Sequence, residues 1–445
     1  MKVNICNIKN NGKRNYAHFD KRLGLKETYK YISIPENVEK HNFYPFIFYD
    51  KKIYKFSKEK GKNGKSRPIC YASHIDRCIY QYYAYILNQM YNEYVCELNI
   101  DKCSIAYRDN KRKSNIHFAK EVFDYIKQTK NAYVIVGDFK GFFDNLDHEY
   151  LKKQICKLLN VQKLSNDMYS VFKSMTKFSK CHLEDILSLN GFANSYKGIK
   201  ELNAKETVMD LETFKRFKKD HLIKNNNKFG IPQGSSLSGI FSNIYMIDFD
   251  YNMKELANRN NGLYRRYSDD FILVIPGEDI NKFKECYEAM ITIIDDTPGV
   301  LIERDKTKAY FYSLCSIKNI TKVLIPEMED SKNIINYLGF SFDGKGISIR
   351  PKTYGKYIYR MRRKIDRIEK CNGITYKGNK ISYDKVYEKY SKKGLKKGKR
   401  KSNFISYVRL SRRIFKGEEE ISNIEKYHME KIAKVIKQKR VKYSK

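Results

Sequence analysis

RRYSDDFILVI, residues 265–275, places two aspartates side by side at the mouth of an aliphatic run. Phe271, Ile272, Leu273, Val274 and Ile275 favour strands, and Pro276-Gly277 stops them, so the stretch predicts a buried strand. Adjacent carboxylates repel, and burying them unpaired is costly. Asp269 and Asp270 therefore require a compensating partner.

A second strand ends in the same way. In AYVIVGDFKGFFDNLDHEYL (132–151), Asp138 sits where a Val/Ile-rich strand runs into a Lys-Gly turn. Either motif alone could be an exposed turn aspartate. Two buried strands ending in carboxylate suit a hard divalent cation, Mg²⁺ or Mn²⁺, which takes oxygen ligands and offsets the repulsion. A third stretch, FGIPQGSSLSGIFSNIYM (229–246), makes a rigid turn and then a helix start dense in small residues, where another chain or a flat ligand can approach closely. Its Gly-Ser-Ser could equally be a plain helix cap.

Around these stretches the 445-residue chain carries 88 Lys+Arg against 51 Asp+Glu, a net charge of +37. Such an excess points to a polyanionic partner, nucleic acid or an anionic membrane surface. The membrane is disfavoured: no run of 18 apolar residues occurs, and mean hydropathy is −0.66. The N-terminus lacks an apolar signal region, and the ten cysteines contain no C-x-x-C pair, which reads as reduced thiols in a cytoplasmic protein. The 37 tyrosines and 25 phenylalanines offer faces for base stacking, although packing claims most of them.

The pattern along the chain is α+β with a basic, helical C-terminal third. Residues 1–45 read as polar and irregular, 43–49 as a strand, and 58–69 as a basic glycine-containing turn. Helices are expected over 75–91, 117–129, much of 148–220, 280–294 and 350–370, and a hairpin over 337–349.

The three stretches, in this order, resemble the palm motifs of reverse transcriptases: GDFKGFFD (137–144), GIPQGSSLSGIFSNIYM within 229–246, and YSDDF within 265–275. Flanking strings extend the likeness: KSRPI (65–69), CSIAYR (103–108), DKTK within 303–308, and YLGF (337–340). The resemblance implies a right-hand polymerase. Fingers would span 46–130 behind a 1–45 extension. A palm over 131–348, with an antiparallel sheet carrying the metal site, would hold an insert near 181–228. A helical thumb over 349–390 and a basic extension over 391–445 would follow.

It also implies roles. Asp138, Asp269 and Asp270, with the Phe139 carbonyl, would hold two Mg²⁺ ions (or Mn²⁺). Lys306, with Lys308 the second choice, would protonate the leaving group. Lys65 and Arg67 would clamp the triphosphate, and Gln233 and Gly234 would border the nucleotide. Phe143, under the sugar, would exclude a 2′-hydroxyl and select dNTPs. Primer and template contacts would come from Arg108, Ser235, Tyr267, Leu338, Gly339, Arg350 and Lys352. Lys392, Lys393, Lys396, Lys397, Lys399, Arg400 and Lys401 would grip RNA by charge, unless they form a solvated basic tail.

Among reverse transcriptases, SIAYR (104–108) and FDGKGISIRPKTYGKY (342–357) look most like the abortive-infection, defence-associated and retron groups of bacteria. That implies a dedicated noncoding RNA template, a DNA product, an antiphage role and, in some members, a homo-oligomer. Untemplated or protein-primed synthesis, a group II intron-like or diversity-generating enzyme, and an inactive RNA-binding scaffold are the competing readings.

Overall fold

The structure is a computed structural model that describes residues 7–8, 11–57, 61–108, 110–328, 331–375, 378–395 and 402–443, the side chains at 53–57, 61–63 and 65 excepted. Its centre is a five-stranded antiparallel sheet in the order β6-β7-β3-β8-β9. These strands are β3 (Asn131–Asp138), β6 (Leu263–Tyr267), β7 (Asp270–Pro276), β8 (Lys308–Ser313) and β9 (Ser316–Asn319).

Successive side chains of a strand point to opposite faces, and here both faces are covered. Tyr133, Ile135, Leu273 and Ile275 enter one core with Leu237, Phe241, Phe283 and Met290 from helices. Ala132, Val134, Ile272 and Val274 enter another with Val122, Phe123 and Ile126 of the Asn115–Gln128 helix. Phe271 to Ile275 are therefore all buried, which is why that run shows no polar alternation.

A second sheet, β2-β1-β4-β5, joins β1 (Phe46–Ser57), β2 (Gly61–Tyr71), β4 (Ser179–His182) and β5 (Ile223–Lys224). Residues expected as a turn over 58–69 are thus mostly strand from Gly61 onward; the long β1–β2 pairing outweighs the glycines. The insert near 181–228 adds β5 to this sheet and shares a small core with Ala17, Phe19 and Ile47, so it packs against the N-terminal segment and β1. Residues 1–45 are not simply irregular either. Leu25–Ile32 and Pro35–Glu39 are helices, the first burying Leu25, Thr28 and Ile32.

Beyond the central sheet, β10 (Ile335–Tyr337), β11 (Phe340–Phe342) and β12 (Ile347–Ile349) form a three-stranded meander where one hairpin was expected. The Pro351–Lys370 helix follows. Tyr357, Met361, Ile365 and Ile368, three or four residues apart, form its buried stripe against Val386, Ile405 and Ile432. Among the described residues no helix is long and apolar enough to cross a membrane, and the nine described cysteines are free thiols.

Candidate active site

Antiparallel pairing of β3 and β7 sets Asp138 directly opposite Asp270. The Phe139 amide donates to the Asp269 carbonyl at 3.0 Å, which brings the third aspartate to the same sheet end. Phe139 itself is anchored by its ring, packed against Phe142, Phe249 and Phe271. The 301–306 segment is laced alongside: Lys140 N donates to Leu301 O at 2.8 Å and Glu303 N to Asp138 O at 2.8 Å. This lacing delivers the Lys306 ammonium onto the Asp138 carboxylate, with Glu303 3.9 Å from the same nitrogen.

The turn at 230–234 is tied to the segment after Asp138. Gly230 N donates to Leu146 O and Ile231 N to Phe143 O, both at 2.9 Å. Its far side is tied to β2, where Cys70 N donates to Gln233 O at 2.9 Å. Gly234 has φ +122°, and a Cβ there would stand 2.3 Å from the Cys70 carbonyl oxygen, so only glycine fits. These ties bring β2, Phe143 and Gln233 around one cavity of about 820 Å³.

Arg67, Asp138, Phe139, Phe143, Gln233, Gly234, Ser235, Asp269 and Lys306 all line it. Lys65 lies on β2 opposite Ile53. Asp270 and Tyr267 close the adjoining hairpin, facing each other across it. Leu338 and Gly339 form the β10–β11 turn with φ of 45° and 92°, and Asn115 Nδ2 donates to Leu338 O at 2.8 Å. Arg350 caps the next helix, and Arg350 and Lys352 are exposed there, away from the cavity lining. Lys392 and Lys393 are exposed on a short 3₁₀ turn; Lys396, Lys397, Lys399, Arg400 and Lys401 lie outside the described residues.

Arg108 requires a correction. It was expected to touch primer or template, but its guanidinium is buried and spent on Asp101, Asn92 Oδ1 and the Ser104 carbonyl. It braces the protein and has no donor face directed at a strand. Conversely, Arg14, Tyr16, Arg77, Gln81 and Tyr107 line the cavity without having been singled out. Tyr107 lay inside a quoted motif; nothing local marks Arg14 or Tyr16, which arrive through contacts some 56 residues along the chain, such as Tyr16 Oη donating to Ala72 O.

The carboxylates suit a divalent cation electrostatically. Packed protein, and then the charges of Asp269 and Asp138, push the Asp270 carboxyl up to about 7, against the pull of Lys306. Asp270 is open to solvent, so mutual repulsion is the part of that shift we rely on. Among the described residues no three acidic, imidazole or thiol side chains converge closely enough to hold a metal ion by themselves. An open set suits Mg²⁺, which keeps waters and shares substrate phosphates.

A carboxylate-ended antiparallel sheet facing a cavity that an arginine also lines, in a mixed α+β fold, is an arrangement suited to nucleotidyl transfer. A family model described as "Reverse transcriptase (RNA-dependent DNA polymerase)" matches residues 56–342, and the chain belongs to that family. No curated protein matches the sequence at a significant level. Among solved structures, similarity extends to an apo telomerase from Candida tropicalis truncated from its C-terminal domain. The identity is 16%, covering 74% of this chain and 61% of that one, with TM-score 0.40. A telomerase from Candida albicans in complex with a fragment of telomeric RNA is also similar (16%, 94% and 62%, TM-score 0.40). So is the apo telomerase from Candida tropicalis (12%, 91% and 62%, TM-score 0.43). This chain spans less than two thirds of each of those chains.

Proposed function

We propose that the chain copies RNA into DNA, with Asp138, Asp269 and Asp270 as the ligands of two Mg²⁺ ions. The observation that carries this reading is the meeting of Asp138 and Asp269 with Arg67, Phe143 and Gln233 around one cavity, with Asp270 directly opposite Asp138 at the same sheet end. Bound there, divalent cations supply the positive charge that favours ionisation of a primer 3′-hydroxyl and departure of pyrophosphate. Arg67 binds the triphosphate, its fork able to hold two oxygens. Lys306, beside Asp138, is placed to give a proton to the leaving group. Phe143, half-buried under the cavity floor, turns away a 2′-hydroxyl, while Gln233 and Gly234 border sugar and base.

In this reading the five-stranded sheet is the palm, the β1–β2 hairpin belongs to the fingers, and the Pro351–Lys370 helix is the thumb. Lys352, Lys356, Arg360, Arg363 and Arg367 are all exposed on that helix, which suits a duplex backbone. We further place the enzyme among bacterial enzymes of antiviral defence that copy a dedicated noncoding RNA. That placement rests on the strings at 104–108 and 342–357.

The test is to purify the protein from its host with bound nucleic acid, sequence the RNA, and add Mg²⁺ and labelled dNTPs. The Asp269→Ala/Asp270→Ala double variant runs alongside. DNA made only by the wild type and matching one co-purified RNA is the expected result. DNA matching no RNA would overturn templated copying, and no DNA from either protein would leave an RNA-binding scaffold.

A further inference from the structure

Ser268, the residue before Asp269, is buried and has φ +61°. A left-handed conformation is unfavourable for a residue with a Cβ and persists only where neighbours impose it. Two neighbours do so here, from different directions.

The Ser268 carbonyl accepts from Arg266 Nη1 at 3.0 Å. Arg266 is fully buried and cannot wander. Asp250 holds its Nε at 2.8 Å and Nη2 at 2.6 Å, and Tyr264 Oη donates to the same carboxylate at 2.8 Å. Its backbone is also tied down: Arg266 N donates to Cys103 O at 2.8 Å, and Ile105 N to Arg266 O at 3.0 Å.

The Ser268 hydroxyl lies 3.2 Å from Tyr107 Oη. Tyr107 is the second left-handed residue at this place, with φ +58°. Asn88 Nδ2 donates to its carbonyl at 3.0 Å, and Asn88 is held by Asn92, the residue that Arg108 also grips. The Tyr107 ring lies where a Cβ on Gly239 would come within 2.9 Å of it, so that glycine makes the room. Two strained residues 161 positions apart thus meet through their hydroxyls, next to the aspartate that faces the cavity.

We propose that Tyr107 and Arg266 are positioning residues for nucleotidyl transfer: they clamp Ser268 in its left-handed turn, and the clamp sets where the Asp269 carboxylate stands beside Asp138. The inference rests on the reading of these aspartates as metal ligands, and it adds two residues that act in that role through Ser268 rather than on the metal. Arg108 acts one step further back, as the brace of Tyr107.

Tyr107→Phe and Ser268→Ala each remove one oxygen and keep the packing; their double variant closes a cycle. The direct readout is Mn²⁺ affinity by electron paramagnetic resonance, with melting temperature, Mg²⁺ half-saturation and dNTP KM measured beside it. Each single variant is expected to weaken Mn²⁺ binding about three- to ten-fold, the range of one lost hydrogen bond. The double variant should be no weaker than the singles, since both act through one contact. Mg²⁺ half-saturation should rise in step while dNTP KM and melting temperature hold. Arg266→Lys, which keeps the charge on Asp250 but loses the fork, should show the same pattern if folded.

Unchanged Mn²⁺ affinity in Tyr107→Phe and Ser268→Ala, additive losses in the double variant, or no Mn²⁺ binding by the wild type would overturn the clamp. Coupled losses of Mn²⁺ affinity in a wild type that makes no DNA would uphold the clamp and overturn the polymerase reading instead.

Discussion

Two sets of charge meet at the β6–β7 hairpin, one through Arg266 and the other through Asp269 and Asp270, and they are in opposite states. Arg266 and Asp250 are wholly buried, 2.6 Å apart, and every strong contact of one is made by the other or by a neighbour's carbonyl or hydroxyl. Asp138, Asp269 and Asp270 sit at the open end, repelling one another, with Lys306 as their nearby cation. The protein thus settles the charge inside its framework and leaves unsettled the charge at the end that the proposed chemistry would use. An internal pair withstands burial only because its partners are complete, whereas the carboxylates at the open end remain in mutual conflict.

Breaking the unsettled set should have the largest effect on activity. Asp138→Ala or Asp269→Ala is expected to lower kcat on the order of 10³-fold or more in primer extension, with the fold intact by circular dichroism. Breaking the settled set should act on stability. Asp250→Asn leaves Arg266 buried beside a neutral partner and is expected to cost about 3–5 kcal/mol in denaturant unfolding. Equal stability would mean that the pair is less committed than its burial suggests.

Phe143→Ala tests the cavity wall rather than either charge set. Discrimination between dNTP and rNTP should fall roughly 10- to 100-fold in single-nucleotide extension, and an unchanged ratio would remove the ring from sugar selection. The smallest effect sharpens the comparison most. The folded-state pKa of Asp270, about 7, lies above its ordinary value of 3.8, so the fold holds this proton more tightly than the unfolded chain. That contribution is whole below pH 4 and is lost as pH rises to 7. Asp270→Asn in metal-free buffer should therefore raise the melting temperature at pH 8 by about 1–3 °C, and at pH 4 leave it unchanged. A lower melting temperature at pH 8 would mean that the trio is not in conflict.

Much of this was legible in the sequence where the signal is local. The continuous apolar run after Asp270 and the Val/Ile run before Asp138 announce strands buried on both faces, and both pair as neighbours. The turn at 230–234 declares itself through Pro232 and Gly234. What escaped depends on chain segments far apart. Arg108 looks like any basic residue until Asp101 and Asn92 fold around it. The strand character of Gly61–Tyr71 appears only when β1 pairs with it, and Arg14 reaches the cavity only because residues 16–20 are bonded to the start of the His74–Glu97 helix.

That lacing of the first segment has a consequence for how the chain is made. Ala17 N is held by Asn203 Oδ1, Val208 N donates to His18 O, and Arg22 donates to the carbonyls of Asn203 and Lys205. Arg22 leaves the ribosome 183 residues ahead of Lys205. At about 5–20 residues per second it waits roughly 10–40 s for its partner. Throughout that interval Ala17 and Phe19 have only part of their core, Ile47 and Tyr44 among it, because Leu202, Val208 and Phe217 do not yet exist. The wall of the cavity that is synthesised first thus waits for residues 202–217, and the walls formed by Gln233, Asp269 and Lys306 emerge later still.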